Sequence, residues 1–330
     1  MVDGEWRTDV EMLVTESGRF KRDETTFRDW IFDDPDARFQ PEPGRYHLYI
    51  SRACPWAHRV VLVRALMGLE DVISMDVVDP HRIDQGWEFA PEKPGCTEDS
   101  ILGADYLREI YAAADPEYTG RVTVPVLWDR HRETIVNNES AELMRMLTEA
   151  FAEYATRDVA LYPDHLADDV DDTVRAIYEP INNGVYRAGF ADSQEAYDEA
   201  VAELFAALDE WDDHLADRRF LVGDQPTLAD VAMFTTLYRF DPVYYVHFKC
   251  NERLIEDYPN LSGYLRDLYQ LPGVAQTCNL EHVTEHYYRS HDHLNPKGIV
   301  PTGPTRDLTA PHDRDSLPGE LPAALRRATD

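Results

Sequence analysis

The order of strands and helices in the first half of this chain is the feature that most limits how it can fold. The pattern of apolar residues predicts, in chain order, a strand at 46–51, a helix at 55–67, a strand at 71–78, a helix at 105–114, strands at 122–129 and 133–137, and a helix at 139–151. This order describes a parallel βαβ unit followed by a β-hairpin and a covering helix. The first half is therefore predicted to be an α/β domain.

The pattern changes after about residue 155, where signals for strands stop. Apolar residues then recur at helical spacing in the stretches 165–186, 193–218 and 227–240, which predicts an all-α second domain. An α/β unit of the thioredoxin-like type followed by an all-helical C-terminal domain is the predicted architecture. The predicted parts are an N-terminal arm at 1–44, a thioredoxin-like thiol-binding domain at 45–152, a helical domain at 153–300 and an extended tail at 301–330.

The charge balance is strongly acidic, with 63 Asp and Glu against 32 Lys and Arg and a net charge of −31. Only four of the basic residues are lysines, and the acidic residues are spread over the whole chain. A uniformly acidic, lysine-poor surface suggests a halophilic protein, whose self-repulsion is screened by salt, although an ordinary acidic protein is the alternative. Nucleic acid is excluded as an expected partner, because its phosphates would be repelled.

The apolar runs are too short and too charged to span a bilayer, which needs about 20 apolar residues, so no membrane association is expected. The first residues, MVDGEWRTDVEML, lack the basic and apolar regions of a secretion signal. We therefore expect a cytoplasmic location.

Cys54 lies between the first predicted strand and helix and is followed directly by Pro55. Proline is favoured at the first helical position, which places Cys54 at the N-cap. Unpaired N–H groups and the positive end of the helix dipole stabilise a thiolate there, so Cys54 is predicted to be a reactive cysteine of low pKa. The alternative is a buried structural cysteine that happens to precede a helix.

No second cysteine stands three residues after Cys54, where the chain has Ala57. A mixed disulfide on Cys54 must then be released by an outside thiol, which predicts a small-thiol cosubstrate. The exception would be one of Cys96, Cys250 and Cys278 lying close in the fold. Otherwise these three are expected to behave as small buried hydrophobic residues.

Pro125 interrupts the short strand at 122–129 and removes a hydrogen-bond donor from the sheet. A cis proline beside the helix that follows Cys54 would leave the backbone of Val124 able to pair with an extended ligand. By analogy with the thioredoxin-like fold, which holds a cis proline at this position, the cis form is predicted, and a trans proline at a sheet edge is the alternative.

Glu139 and Ser140 open the last helix of the first domain. Helix N-terminal N–H groups and the Ser140 hydroxyl suit a carboxylate, and Glu139 suits an ammonium, so the pair fits the amino-acid end of a γ-glutamyl group. Ordinary helix capping also favours these residue types. Thr227 and Asp230 form a capping box that we interpret as structural.

Four histidines, His282, His286, His291 and His293, lie close together near the end of the helical region. Two of them stand four residues apart, a spacing that could hold a metal. No accompanying cysteine or carboxylate pattern supports such a site, and no metal is predicted.

Long motifs throughout the chain resemble the glutathione transferase superfamily and, within it, the glutathionyl-hydroquinone reductases of the Xi class, which are omega-like. They include ACPWAHR, GWEF, GRVTVPVLWD, IVNNESAEL, NNGVYRAGFA, FTTLYRFDPVYYVHFKCN and HYYRSHDHLNPKGIVPTGP. The resemblance runs from about Gly18 to Pro304. It implies a thioredoxin-like domain, a helical domain, a homodimer and an oxidoreductase that reduces glutathionyl-hydroquinones.

The resemblance also implies roles for individual residues. Cys54 would carry a mixed disulfide that a second thiol releases, and phenols would assist protonation of the departing carbon. The implied catalytic tyrosines are Tyr186, Tyr244 and Tyr287, with Tyr245 and Tyr288 as alternatives one residue away. The implied thiol-binding residues are Trp87, Arg121, Val124, Pro125, Glu139 and Ser140.

Two further questions stay open at this point. The cosubstrate is glutathione or γ-glutamylcysteine, since an organism adapted to high salt could use the latter and both share the γ-glutamylcysteinyl part. The activity could also be that of a general monothiol thioltransferase, or the chain could be a non-catalytic binding module of transferase-like fold. The natural hydroquinone is not determined by the sequence.

Overall fold

We describe a computed structural model of the 330-residue chain, which places residues 1–8, 15, 17–21 and 24–326. The chain forms two compact units. The first combines residues 1–11, 24–156 and 277–300, and the second combines residues 12–23, 157–276 and 301–330. The domain boundaries drawn from the sequence stay a prediction.

The first unit contains a four-stranded mixed sheet in the order β2-β1-β3-β4. Its strands are β1 (Tyr46–Ile50), β2 (Ser74–Val77), β3 (Val126–Asp129) and β4 (Thr134–Asn137). Strand β1 is parallel to β2 and antiparallel to β3, and β3 and β4 form the predicted hairpin. The α/β fold class expected from the order of elements is therefore confirmed.

Four helices accompany this sheet within the first unit: α1 (Pro55–Met67), α2 (Leu107–Ala114), α3 (Ser140–Ala150) and α10 (Leu280–Arg289). Helix α1 packs against α3 and has the bounds expected from the sequence. It ends at Gly68, which has φ 68° and ψ 46°, a left-handed conformation that favours glycine. The start of α1, at Pro55, follows closely after the end of β1 at Ile50.

Two strands are shorter than predicted. Strand β3 begins at Val126 and not at 122, because Pro125 has no N–H to offer the sheet. Strand β2 begins at Ser74 and not at 71, because the amides of Val72 and Ile73 donate to Leu69 O in a turn. Apolar alternation alone did not mark these turns.

The second unit is helical, as expected. Its helices are α4 (Ala167–Ile177), α5 (Gly184–Gly189), α6 (Gln194–His214), α7 (Leu228–Arg239), α8 (Tyr245–His247) and α9 (Leu261–Tyr269). Single π-helical turns, Tyr178–Asn182 and Phe240–Tyr244, follow α4 and α7. Each contains a proline, Pro180 or Pro242, which has no N–H with which to continue an α-helical ladder.

The chain segment after residue 300 packs within the second unit, although it is mostly irregular. Arg306 donates to the carbonyls of Leu237 and Tyr238 and lies 3.2 Å from a carboxylate oxygen of Asp241. Arg314 is only 2% exposed, and its guanidinium donates to Leu215 O at 2.8 Å. These arginine contacts order a segment whose composition alone suggested a loosely attached tail.

The described residues among the first 44 form isolated bridges only, in agreement with the irregular arm expected there. In the part of the chain that the structure places, no helix is long and apolar enough to cross a membrane.

Candidate active site

Cys54 lies at the N-cap of α1, as the Cys-Pro pair predicted. Its backbone is extended, with φ −75° and ψ 123°, and Pro55 occupies the first turn of the helix. The Cys54 carbonyl accepts the first helical hydrogen bond from His58 N at 3.0 Å. The thiol is half-buried and donates to Val124 O at 3.6 Å. The sulfur therefore lies beside the segment of Val124 and Pro125 that leads into β3.

The Val124–Pro125 peptide bond is cis, which confirms the preference for cis over a trans edge proline. Val124 is 5% exposed. Within the described residues, the Val124 N–H has no hydrogen-bond acceptor. A buried N–H of this kind is a hydrogen-bond donor that a ligand backbone can use.

The N-terminus of α3 carries Glu139 and Ser140. Glu139 is the N-cap residue, and its carboxylate accepts from Ala141 N at 3.3 Å and from Thr25 Oγ1 at 3.3 Å. The Glu139 amide donates to Asn137 Oδ1 at 2.7 Å. Ser140 is 3% exposed. The structure thus bears out the capping role of Glu139, while the role of both residues in ligand binding stays a prediction.

Trp87 is 5% exposed and stacks on the ring of His286, with ring centroids 5.1 Å apart and an interplanar angle of 24°. His286 in turn contacts Tyr287 edge to face at a centroid distance of 5.2 Å. Tyr287 is 1% exposed and also meets His291 at 5.6 Å. The structure therefore joins Trp87 and Tyr287 through one histidine ring, a link that sequence spacing did not reveal.

The alternative tyrosine, Tyr288, is also buried, and burial raises its pKa above the usual range. Arg121 is exposed, and its carbonyl accepts from Tyr118 Oη at 2.8 Å. The choice between Tyr287 and Tyr288 stays open.

The other two predicted catalytic tyrosines lie together in the second unit. Tyr186 belongs to α5 and is 9% exposed, and Tyr244 ends the π turn after α7 and is fully buried. Their ring centroids are 6.0 Å apart. Phe248 stacks on Tyr244 at 5.5 Å and meets Tyr186 at 5.5 Å. The aromatic cluster fixes both phenols in place.

Cys96, Cys250 and Cys278 were expected to be small buried residues. This expectation is correct for Cys250 and wrong for the other two. Cys96 and Cys278 are half-buried. Burial raises the pKa of Cys96 to about 11, whereas Cys278 Sγ lies 4.0 Å from His58 Nε2. All four cysteines are present as thiols.

The histidines near the chain end have structural contacts. His282 Nε2 lies 2.8 Å from Pro94 O and His286 Nδ1 lies 2.7 Å from Pro80 O, so two rings of α10 bind loop carbonyls. Among the described residues, one group with closely spaced metal-ligand atoms occurs elsewhere, at Asp267, His312 and Asp315. Arg219 donates to both of these carboxylates. The absence of a metal from the function stays a prediction.

Comparisons with known proteins agree with the fold and with the motifs. The model of the glutathione S-transferase N-terminal domain matches residues 53–150, and that of the C-terminal domain matches residues 194–267. The glutathionyl-hydroquinone reductase YqjG of Escherichia coli is 47% identical over 96% of this chain and 98% of its own length. A Xi class transferase from Natrialba magadii is 59% identical, with a TM-score of 0.92 and 97% of each chain covered. The chain belongs to the Xi class of the glutathione S-transferases.

Other members of this class are also similar over nearly their whole length. The glutathionyl-hydroquinone reductase PcpF of Sphingobium chlorophenolicum is 49% identical over 93% of this chain and 97% of its own. The glutathione-bound structure of YqjG superposes with a TM-score of 0.88. The family and the two-domain fold inferred from the sequence motifs are confirmed.

Proposed function

We propose that this Xi-class transferase is a thiol-dependent reductase of glutathionyl-hydroquinones that works through a mixed disulfide on Cys54. The observation that carries the proposal is the half-buried Cys54 thiol at the N-terminus of α1, beside the cis Pro125 and the open Val124 N–H. Close similarity to two named glutathionyl-hydroquinone reductases supports the same reaction.

The first step is attack of the Cys54 thiolate on the sulfur of the conjugate. A sulfur–sulfur bond forms, the carbon–sulfur bond breaks, and its electron pair stays on the ring carbon, which then takes a proton. A second thiol attacks the mixed disulfide and restores the Cys54 thiolate. In sum, one conjugate and one thiol give a hydroquinone and a disulfide.

The residues around Cys54 supply the contacts that a γ-glutamyl thiol needs. The Val124 N–H and carbonyl would pair with the cysteinyl backbone of the ligand, in the manner of strand addition. The N-terminus of α3, with Ser140, would bind the α-carboxylate, and Glu139 would accept from the ammonium. Trp87 would pack on the ligand, and Arg121 would meet its C-terminal end.

Phenols are the proposed proton donors to the ring carbon. Tyr186 and Tyr244 form one buried pair, and Tyr287 lies in the histidine cluster of α10. An un-ionised phenol is a suitable donor because its ordinary pKa is near 10. The homodimer, the cytoplasmic location and the adaptation to high salt remain part of this proposal, on the strength of the resemblance and of the net charge of −31.

The experiment that tests the function measures turnover of a glutathionyl-hydroquinone in high salt. Glutathione and γ-glutamylcysteine are supplied side by side as the second thiol. We expect release of the hydroquinone with at least one of them, at matched rates of hydroquinone and disulfide formation. The thiol with the larger kcat/KM is the cosubstrate. Absence of turnover with both thiols in folded protein would contradict the reductase.

A general monothiol thioltransferase is the second candidate, since the same half-buried Cys54 would serve disulfide exchange. Disulfide exchange needs no protonation of carbon, so the two activities should respond differently to loss of the phenols. We expect Tyr186→Phe and Tyr287→Phe to lower hydroquinone release by about ten- to a hundredfold. Reduction of a glutathione mixed disulfide should change less than about threefold. Equal losses in both assays would favour an indirect, structural role for the tyrosines.

A further inference from the structure

Among the residues that the structure places, Arg82 has no carboxylate partner, although the protein is strongly acidic. The chain has 63 acidic and 32 basic side chains, and several other arginines, among them Arg45, Arg219 and Arg306, form ion pairs with carboxylates. Among the described residues, the Arg82 guanidinium forms no hydrogen bond and no ion pair. Its five N–H donors are thus available to a ligand.

The loop that carries Arg82 is held at several points. We call residues 79–88 the Arg82 loop. Its backbone is tied to α10, because Pro80 O is 2.7 Å from His286 Nδ1 and the Arg82 amide donates to Ser290 Oγ at 2.9 Å. Trp6 Nε1 donates to Asp84 O at 2.8 Å. A guanidinium presented by a loop tied in this way is pre-organised for binding.

The same loop packs closely at its tip. Gly86 has φ 86°, a backbone conformation that favours glycine. A Cβ atom at this position would lie only 2.9 Å from the Trp6 ring, so a larger residue would clash with Trp6. Arg108 donates to Gln85 O. Trp6 and Arg108 thereby hold the tip of the loop.

The Arg82 guanidinium lies over the indole of Trp87, 5.7 Å from the ring centroid. His286 stacks on the same indole at 5.1 Å. A cation–π contact at an exposed site is worth only about 0.5–1 kcal/mol, so it orients the guanidinium without satisfying its donors. The N–H groups of Arg82 therefore remain able to donate hydrogen bonds to an acceptor on a ligand.

The charges that act on Arg82 point to the thiol site. Burial lowers the pKa of Arg82, the Arg121 guanidinium lowers it further, and the Cys54 sulfur raises it. No carboxylate of the described residues is a cause of this shift in the pKa of Arg82. The Arg82 guanidinium lies over Trp87, one of the implied thiol-binding residues, and an anion bound there would also offset its repulsion from Arg121.

The proposed function supplies such an anion. A γ-glutamyl thiol carries two carboxylates, and the N-terminus of α3 suits the α-carboxylate at the amino-acid end. The other carboxylate is at the C-terminal end of the thiol. Arg82 keeps solvent-exposed surface although protein atoms crowd its guanidinium and lower its pKa, so a ligand can approach it from solvent.

We propose that Arg82 is a specificity-determining residue that binds, together with Arg121, the C-terminal carboxylate of the thiol attached at Cys54. The inference rests on the proposed function, because it takes a γ-glutamyl thiol as the ligand. It adds a second guanidinium to the single arginine implied by the motifs. In high salt a long-range attraction is screened, whereas direct hydrogen bonds from two guanidinium groups persist.

The test measures equilibrium binding by calorimetry in the Cys54→Ala protein at one fixed salt concentration, so that no chemistry intervenes. The probes are glutathione and its glycine ethyl ester, and γ-glutamylcysteine and its C-terminal ethyl ester. For the thiol that serves as cosubstrate, we expect Arg82→Gln to raise the Kd of the free acid by about tenfold and that of its ester by less than about twofold. Arg82→Lys should recover part of the loss.

Arg38→Gln is the matched control, because it removes the same charge from an exposed arginine paired with Asp29. It should leave every Kd unchanged. Equal weakening of acid and ester by Arg82→Gln would overturn the proposal, as would no weakening at all. Lack of binding by the parent protein would also overturn it. If binding follows the expected pattern but the protein does not turn over glutathionyl-hydroquinones, the binding role of Arg82 would be supported and only the proposed reductase activity would be contradicted.

Discussion

Replacement of Cys54 by alanine is expected to lower hydroquinone release by about a thousandfold or more, since it removes the nucleophile that the protein itself contributes to the proposed mechanism. Serine at this position should be nearly as inactive, because a hydroxyl forms no disulfide. Rates are measured with the faster of the two thiols, under conditions where circular dichroism shows an intact fold. Mass spectrometry of the wild-type protein, quenched during turnover, should show one thiol bound at Cys54.

Cys96→Ala and Cys278→Ala provide matched controls, because both residues are half-buried thiols of the same chain. Each should retain turnover within about twofold. Turnover by Cys54→Ala near the wild-type rate would exclude the mixed disulfide on Cys54. Loss of turnover in Cys278→Ala, with Cys54 still able to accept a thiol, would instead identify an internal thiol that releases the disulfide.

Replacement of Asp230 by alanine is expected to lower the free energy of unfolding by about 4 kcal/mol. Asp230 is 1% exposed at the start of α7. Its Oδ1 accepts from Leu221 N at 2.9 Å and Tyr264 Oη at 2.7 Å, and its Oδ2 accepts from Thr227 N at 2.8 Å. Alanine would leave these buried donors without an acceptor. Urea denaturation at one fixed salt concentration measures the loss.

Asp217→Ala is the control for this variant, since the Asp217 side chain is 80% exposed beside Arg218. Its effect should stay within about 0.5 kcal/mol. Asp230→Asn should also destabilise the protein, because the amide nitrogen would face an N–H donor. A loss below about 1 kcal/mol for Asp230→Ala would contradict the structural role assigned to the capping box.

Local signals in the sequence predicted much of the first unit. The Cys-Pro pair and Gly68 marked both ends of α1, because proline and glycine restrict the backbone within a few residues. The cis form of Pro125 was predicted by analogy with the thioredoxin-like fold, from its place in a short strand before the hairpin. The predicted lengths of β2 and β3 were wrong. A turn precedes β2 and the missing N–H of Pro125 precedes β3, whereas the alternation of apolar residues continues through both segments.

The sequence by itself determined the fold class, the family and the position of Cys54 at a helix N-terminus, because these depend on periodicity, local backbone chemistry and long motifs. Only the tertiary structure decided which side chains meet. It brought His286 of α10 onto Trp87 and onto Pro80 O, and it placed Arg82 over the same indole without a carboxylate. Contacts between residues some 200 positions apart in the chain leave no mark on periodicity, because they arise from packing of the whole unit.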